Sequence, residues 1–254
     1  AVHVLTNVRQ ILAYAPEFSL PHWQALRKMT ELSLACSRGR WLTGVSLTGS
    51  APDVLVDLRG PQELCLDLMD DPEGVQLALQ HLDRHLPSVD RFLWDPVAAG
   101  GLPTPINGEG VVAIGHVTRL DSDFLCMVSP SLGSDLLYPS LHRRIRQFDQ
   151  CYWHADGPGW LTHLDWILRD DRIRGVQWVY GAGNGPAAKW IDVYRKIQAA
   201  GKAIELMPVS LDDARQVMQH LRPEGVWLKF WDSYPADAAH QFLTDVAQRA
   251  NWGA

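Results

Sequence analysis

The sequence predicts an α/β protein built on a parallel sheet, and three observations predict it. Short apolar runs recur from about residue 40 onward, stretches with apolar residues at three- and four-residue spacing separate the later runs, and a glycine stops the helical stretch before a strand at Gly201 and Gly225. Strand, helix and strand in that rhythm make βαβ units, whose strands are buried on both faces and read as nearly continuous apolar runs.

The predicted strands are Trp41–Leu47, Val111–Val117, Cys151–Trp153, Val176–Tyr180, Ala203–Met207 and Val226–Phe230. Between the later ones lie helical stretches. Pro158–Arg169 follows a Gly-Pro entry, and Ala187–Ala199 carries Trp190, Val193, Tyr194 and Ile197 on one face. Leu211–Leu221 opens at Ser210 with Asp212 and Asp213 in its first turn, an N-terminal signal. Residues 96–110 (PVAAGGLPTPINGEG) read as a loop, and residues 1–40 as a helical N-terminal segment. A closed barrel of such units needs about eight strands, and six are identifiable. The N-terminal segment would then cover the gap, or a partner chain would complete the sheet.

Composition excludes several function classes. A formal charge of -6 opposes nucleic-acid binding, which needs a basic face. No apolar stretch reaches the roughly 18 residues of a membrane span, and residues 1–20 lack the pattern of a signal peptide. Cys36, Cys65, Cys126 and Cys151 form no C-x-x-C pair, which points to reduced, buried thiols in a cytoplasmic protein. Of eleven tryptophans, eight follow position 150. They either pack between helices and strands or wall a pocket for a planar ligand.

The densest chemistry lies in Trp153-His154-Ala155-Asp156-Gly157-Pro158-Gly159, where a strand ends and a helix begins. In barrels and open α/β sheets, sites gather at such carboxyl ends. His154 and Asp156 leave one face of a strand, so an imidazole and a carboxylate stand together, able to hold a metal or relay a proton. The competing reading is a histidine bonded to a loop-capping aspartate. Asp121-Ser122-Asp123 is a second acidic group at a strand end, with Asp121 the candidate for the pocket and a turn or cap equally open. Gly181-Ala182-Gly183-Asn184-Gly185 lacks the spacing of a dinucleotide fingerprint and the lysine of a P-loop, so it reads as glycine clearing space for a substrate. Gln177 and Glu205 are polar residues inside strands and need a partner or a ligand. Lys229 and Asp232 end the last strand, and His163 in its helix reads as structural.

The segment from Tyr152 to Lys202 resembles the uroporphyrinogen decarboxylase-like superfamily, in the branch carrying H-L-D-G-P-G, H-L-D, I-Q-W-V-x-G-x-G and W-x-x-x-Y-x-x-I-Q-x-x-G-K. His154, Asp156, Gly157, Pro158 and Gly159 match the first motif, and His163 and Asp165 the second. Gln177, Trp178, Gly181 and Gly183 match the third; Trp190, Tyr194, Gln198 and Lys202 match the fourth. Upstream, Asp53, Leu58-Arg59-Gly60 and Asp71-Pro72-Glu73 resemble the branch's D-x-x-x-x-L-R-G and D-D-P-E stretch, and Asp123-Phe124 with Ser129-Pro130 its D-F-x-x-x-x-S-P.

The resemblance implies a (β/α)8 TIM-barrel fold, incomplete here, with residues 1–254 as one domain. It implies either of two chemistries: metal-free decarboxylation of a tetrapyrrole or other carboxylate, or metal-assisted methyl transfer involving a corrinoid or a small methylated substrate. Catalytic roles fall on His154, Asp156 and Asp121, and substrate contacts on Asp123, Trp153, Gln177, Trp178, Gly181, Gly183 and Asp232. Zinc or another divalent metal would sit at His154 and Asp156. The partners implied are the small-molecule or corrinoid substrate, a corrinoid protein, and a second copy or completing chain. The chain departs from both chemistries' motifs: an R-Q-A-G-R segment and an N-L-G-H-G end are absent, and H-x-C reads His154-Ala155-Asp156. Methyl transfer is the first expectation, decarboxylation the second, and a non-catalytic subunit the third.

Overall fold

The computed structural model describes residues 3–46, 48–100, 104–105, 111–113 and 115–250. The chain forms two compact units, residues 1–152 and 153–254.

The first unit is mostly helical. A 3-10 helix, Val8–Ala13, is closed by a capping box between Asn7 and Gln10. Helices α1 (Pro21–Ser37), α2 (Ala51–Arg59), α3 (Pro61–Asp70) and α4 (Pro72–Ala98) follow, each with proline in its first turn, where the missing N–H is harmless. Asp71 caps α4 by accepting from the Gly74 N–H at 3.0 Å. Helix α4 buries Val75, Leu79, Leu82, Leu86, Val89, Leu93 and Val97, a three- and four-residue stripe that makes it the spine of this unit.

Strands β1 (Thr104–Pro105) and β2 (Val112–Ala113) pair antiparallel. Strand β3 (Val117–Leu120) leads into a 3-10 turn, Asp123–Met127. Helix α5 (Pro130–Leu132) then runs through a wider π turn into α6 (Tyr138–Ile145).

The second unit continues β4 (Gln150–Asp156) and alternates strictly: α7 (Leu164–Arg169), β5 (Ile173–Val179), α8 (Ile191–Ala199), β6 (Ala203–Met207), α9 (Leu211–Met218), β7 (Val226–Leu228) and α10 (Ala236–Ala250). The sheet has five strands in the order β3-β4-β5-β6-β7, and β5, β6 and β7 are parallel neighbours. The α/β class and parallel sheet are therefore present. Ser210 caps α9 reciprocally with Asp213, as the first-turn carboxylates predict.

Several sequence expectations are corrected. Trp41–Leu47 is no strand: its described residues hold a single bridge at Val45, and Leu47 lies outside the described residues. Val111–Val117 divides into β2 and the start of β3, with Ile114 outside the described residues. Within residues 96–110, α4 continues to Ala98 and Thr104–Pro105 pair as a strand, while 101–103 and 106–110 lie outside the described residues. Pro158–Arg169 and Ala187–Ala199 each begin as a 3-10 turn before becoming α-helical. Of the four cysteines, expected to be buried, only Cys151 is buried, and Cys36 and Cys126 are exposed. Among the described residues no helix is long and apolar enough to cross a membrane.

Candidate functional site

Alternation along a strand sends His154, Gln177 and Glu205 to the face opposite Trp153, Trp178 and Leu206. Gln177 and Glu205 stand level in the β5–β6 register. Both are fully buried, a costly place for a carboxylate unless donors surround it. Gln177 Nε2 donates to Glu205 Oε2 at 2.8 Å, and Lys229 Nζ lies 3.4 Å from Glu205 Oε1. The Lys229 N–H, bonded to the Leu206 carbonyl at 3.0 Å, holds that lysine beside β6 just past the end of β7. On the other side, Gln177 Oε1 meets His154 Nδ1. Three side chains on successive strands and one just past the next strand thus form one polar chain: His154, Gln177, Glu205, Lys229.

The chemistry of each member fixes the protons. A carboxylate only accepts, so the amide nitrogen of Gln177 must face Glu205 and its oxygen must face His154. An amide oxygen only accepts, so His154 Nδ1 carries the proton. The lone pair of the neutral ring then sits on Nε2, which can take or give a proton.

The loops after β4 and β5 pack closely. Gly157 N–H bonds the Val179 carbonyl at 2.7 Å, and Gly181, at φ 74°, brings its Cα against the Gly157 backbone. A Cβ on Gly181 would lie 3.1 Å from Gly157 Cα and 3.6 Å from Asp156 Oδ1. The glycine therefore makes room for the neighbouring loop. Asn184 closes the turn, donating from its N–H to the Gly181 carbonyl at 3.2 Å and accepting at its own carbonyl from Trp190 Nε1 at 3.0 Å. Gly183, also at positive φ, lies within that turn.

The remaining candidates fall elsewhere. Asp156 is exposed at the end of β4, and Asp232 is exposed beyond β7, accepting from Tyr234 Oη at 3.4 Å. Trp153 and Trp178 are fully buried in the core. Trp153 meets Trp160 and Trp166 edge-on, and Trp178 packs at 5.3 Å from Trp190. Asp121 and Asp123 belong to the first unit. Asp121 accepts from Arg119 at 3.2 Å, and Asp123 opens the 3-10 turn from the surface.

Most of the other motif residues hold the scaffold. Tyr194 Oη donates to the Ala187 carbonyl at 2.8 Å, Gln198 brackets the Arg222 backbone, and Lys202 Nζ donates to the carbonyls of Asp170 and Ile173 at 2.6 Å. Buried His163 packs against Trp160, and Asp165 pairs with Lys196 at 2.6 Å. In the first unit, Asp53 accepts from Ser50 Oγ at 2.7 Å and from the Phe124 N–H at 3.3 Å. Burial, with Asp121 and Asp123 nearby, pushes its carboxyl up to about 7. Only its place in the D-x-x-x-x-L-R-G stretch marks it in the sequence.

The donor set does not fit the expected metal. Catalytic zinc takes about three protein ligands. Here His154 directs Nδ1 to Gln177, Asp156 faces solvent, and among the described residues no group of three His, Cys, Asp or Glu side chains gathers to hold an ion. No protein-family model matches the chain, and no curated protein matches it.

Proposed function

We propose that this chain is an acid–base enzyme of the uroporphyrinogen decarboxylase-like barrel type, decarboxylating a tetrapyrrole or another carboxylate through His154 without a metal. One observation carries this reading: Gln177, anchored by Glu205, presents its oxygen to His154 Nδ1 and leaves Nε2 for the substrate. His154 lies near the carboxyl end of its strand, beside glycine-bounded loops, and such ends are where α/β enzymes keep their sites.

In this reading the bond between the substrate carbon and its carboxyl group breaks, carbon dioxide leaves, and the electron pair passes into the substrate's own conjugated system. His154, having taken a proton from solvent at Nε2, delivers it to that carbon and returns to the neutral ring. Gln177 keeps the ring oriented throughout, and Glu205, held by Lys229, keeps Gln177 from flipping. Metal-assisted methyl transfer from a corrinoid is the weaker reading, because it needs a metal centre for which His154 and Asp156 supply too few donors.

The test incubates chelator-treated full-length protein with uroporphyrinogen and other reduced carboxylated tetrapyrroles, following carbon dioxide release. Activity without metal and a loss of about 100-fold or more in His154→Asn are expected. Activity that vanishes on chelation and returns with zinc replaces this mechanism by the metal one. No release from any of these substrates removes the tetrapyrrole class.

A further inference from the structure

The first unit contains a cavity of about 300 Å³ between the N-terminal segment, the α2 region and α4. Ile11, Val54, Leu82, Leu86 and Val89 form its apolar wall, with Trp23 at one side. Its polar groups are few: Thr48, Tyr14 and the two imidazoles of His81 and His85, one helical turn apart on α4 with ring centroids at 4.5 Å. Among the described residues no Lys, Arg, Asp or Glu lines it. Largely apolar walls with a small polar group at one place describe a small-molecule site, and this volume stands at the lower end of the usual range of about 300–1,000 Å³.

The polar end selects the ligand. His81 Nε2 lies 2.6 Å from the Tyr14 carbonyl, which only accepts, so that nitrogen bears the proton and Nδ1 of the neutral ring is an acceptor. Burial, with His81 and Arg84 beside it, pushes His85 below the usual histidine range, which favours the neutral ring with its acceptor nitrogen. A carboxylate or an ammonium ion would meet no opposite charge among the described residues of the wall. A hydroxyl group would find its acceptor. An empty apolar cavity of about 150 Å³ already takes one benzene ring, so 300 Å³ admits a fused pair.

We propose that this cavity is a binding site for a small neutral aromatic alcohol, its fused rings against Leu82, Leu86 and Trp23 and its hydroxyl donating to the His81–His85 pair. The site is independent of His154 and of the reaction proposed there.

The experiment titrates the full-length protein with 1-naphthol, naphthalene and 1-naphthoate by calorimetry, and follows the Trp23 indole N–H by NMR, assigned through Trp23→Phe. Saturable binding of one 1-naphthol per chain is expected, with a shift at Trp23. Leu86→Trp, which fills the cavity, abolishes it. His85→Leu weakens 1-naphthol about tenfold while leaving naphthalene unchanged, the size of one good hydrogen bond. No saturable binding, or no shift at Trp23 in the unmodified protein, overturns the site without relying on any variant's folding. Equal affinity for 1-naphthoate overturns the neutral-alcohol assignment.

Discussion

Gln177 donates to Glu205 across neighbouring parallel strands at 2.8 Å, with neither side chain reaching solvent. This bond fixes which way the Gln177 amide points, and through it which nitrogen of His154 holds a proton. The neutral His154 ring is therefore expected to show its proton on Nδ1 in long-range 1H–15N NMR spectra. In Gln177→Leu the bond is lost, the preference moves toward Nε2, and unfolding by urea costs about 3 kcal/mol less, because a buried carboxylate is left short of a donor. An unchanged tautomer would mean that another group orients the ring.

Lys229 balances the Glu205 charge from 3.4 Å while keeping about a quarter of its side chain exposed. Removing one partner of a buried pair leaves the other uncompensated, which costs about 3–5 kcal/mol for full burial and less where one partner is partly solvated. Lys229→Met is expected to destabilise by about 2 kcal/mol. Adding Glu205→Gln should recover most of that loss, since the charge then disappears with its partner. Additive losses in denaturant titrations of the double-mutant cycle would show that the two groups do not interact.

The second unit was the legible one. Parallel strands buried on both faces leave an apolar run in the sequence, so β4, β5, β6 and β7 stand out, and a Gln or Glu inside such a run declares itself by its position alone. What pairs with it does not. Gln177 lies 23 residues from His154 and 28 from Glu205, and only the sheet register brings them level. Parity likewise separates Trp178 from Gln177: adjacent in sequence, they serve opposite faces. The stripe of α4 crosses Pro87 and Pro96, residues that ordinarily break a helix and so hide this one. Asp53 owes its raised carboxyl to burial and to the nearby Asp121 and Asp123, while the bond from the Phe124 N–H, 71 residues on, pulls the other way; no local pattern announces either.

That carboxyl makes stability depend on pH. Its value rises from 3.8 to about 7, so between these limits the folded chain binds more protons than the unfolded one. Stability contributed by Asp53 is complete below about pH 4 and is lost as pH rises through 7. Because the residue is partly exposed, the loss is expected near 2 kcal/mol rather than the full value of the shift. Asp53→Asn should remove this slope and leave the protein more stable than wild type at pH 8. Urea titrations at pH 5 and pH 8 measure it, and parallel slopes in both proteins would assign the ionised form to Asp53 throughout.

Arg144 offers the sharpest stability test. Its side chain is fully buried, and Asp90 is only 6% exposed. The guanidinium spans Asp90 with both terminal nitrogens, donates to Gln147 Oε1 at 2.6 Å and to the Thr48 hydroxyl, and stacks 4.7 Å from the Phe148 ring. A planar fork makes these bonds together, which an ammonium cannot do. Arg144→Met keeps much of the volume but strands the Asp90 carboxylate, and should cost about 3–5 kcal/mol. Arg144→Lys restores the charge without the fork, so it should still cost about 2 kcal/mol. Combining Arg144→Met with Asp90→Leu should return most of the stability, because a buried ion pair is dispensable once neither charge remains. A loss below about 1 kcal/mol in Arg144→Met would instead describe a solvated surface pair, at odds with the burial of both residues.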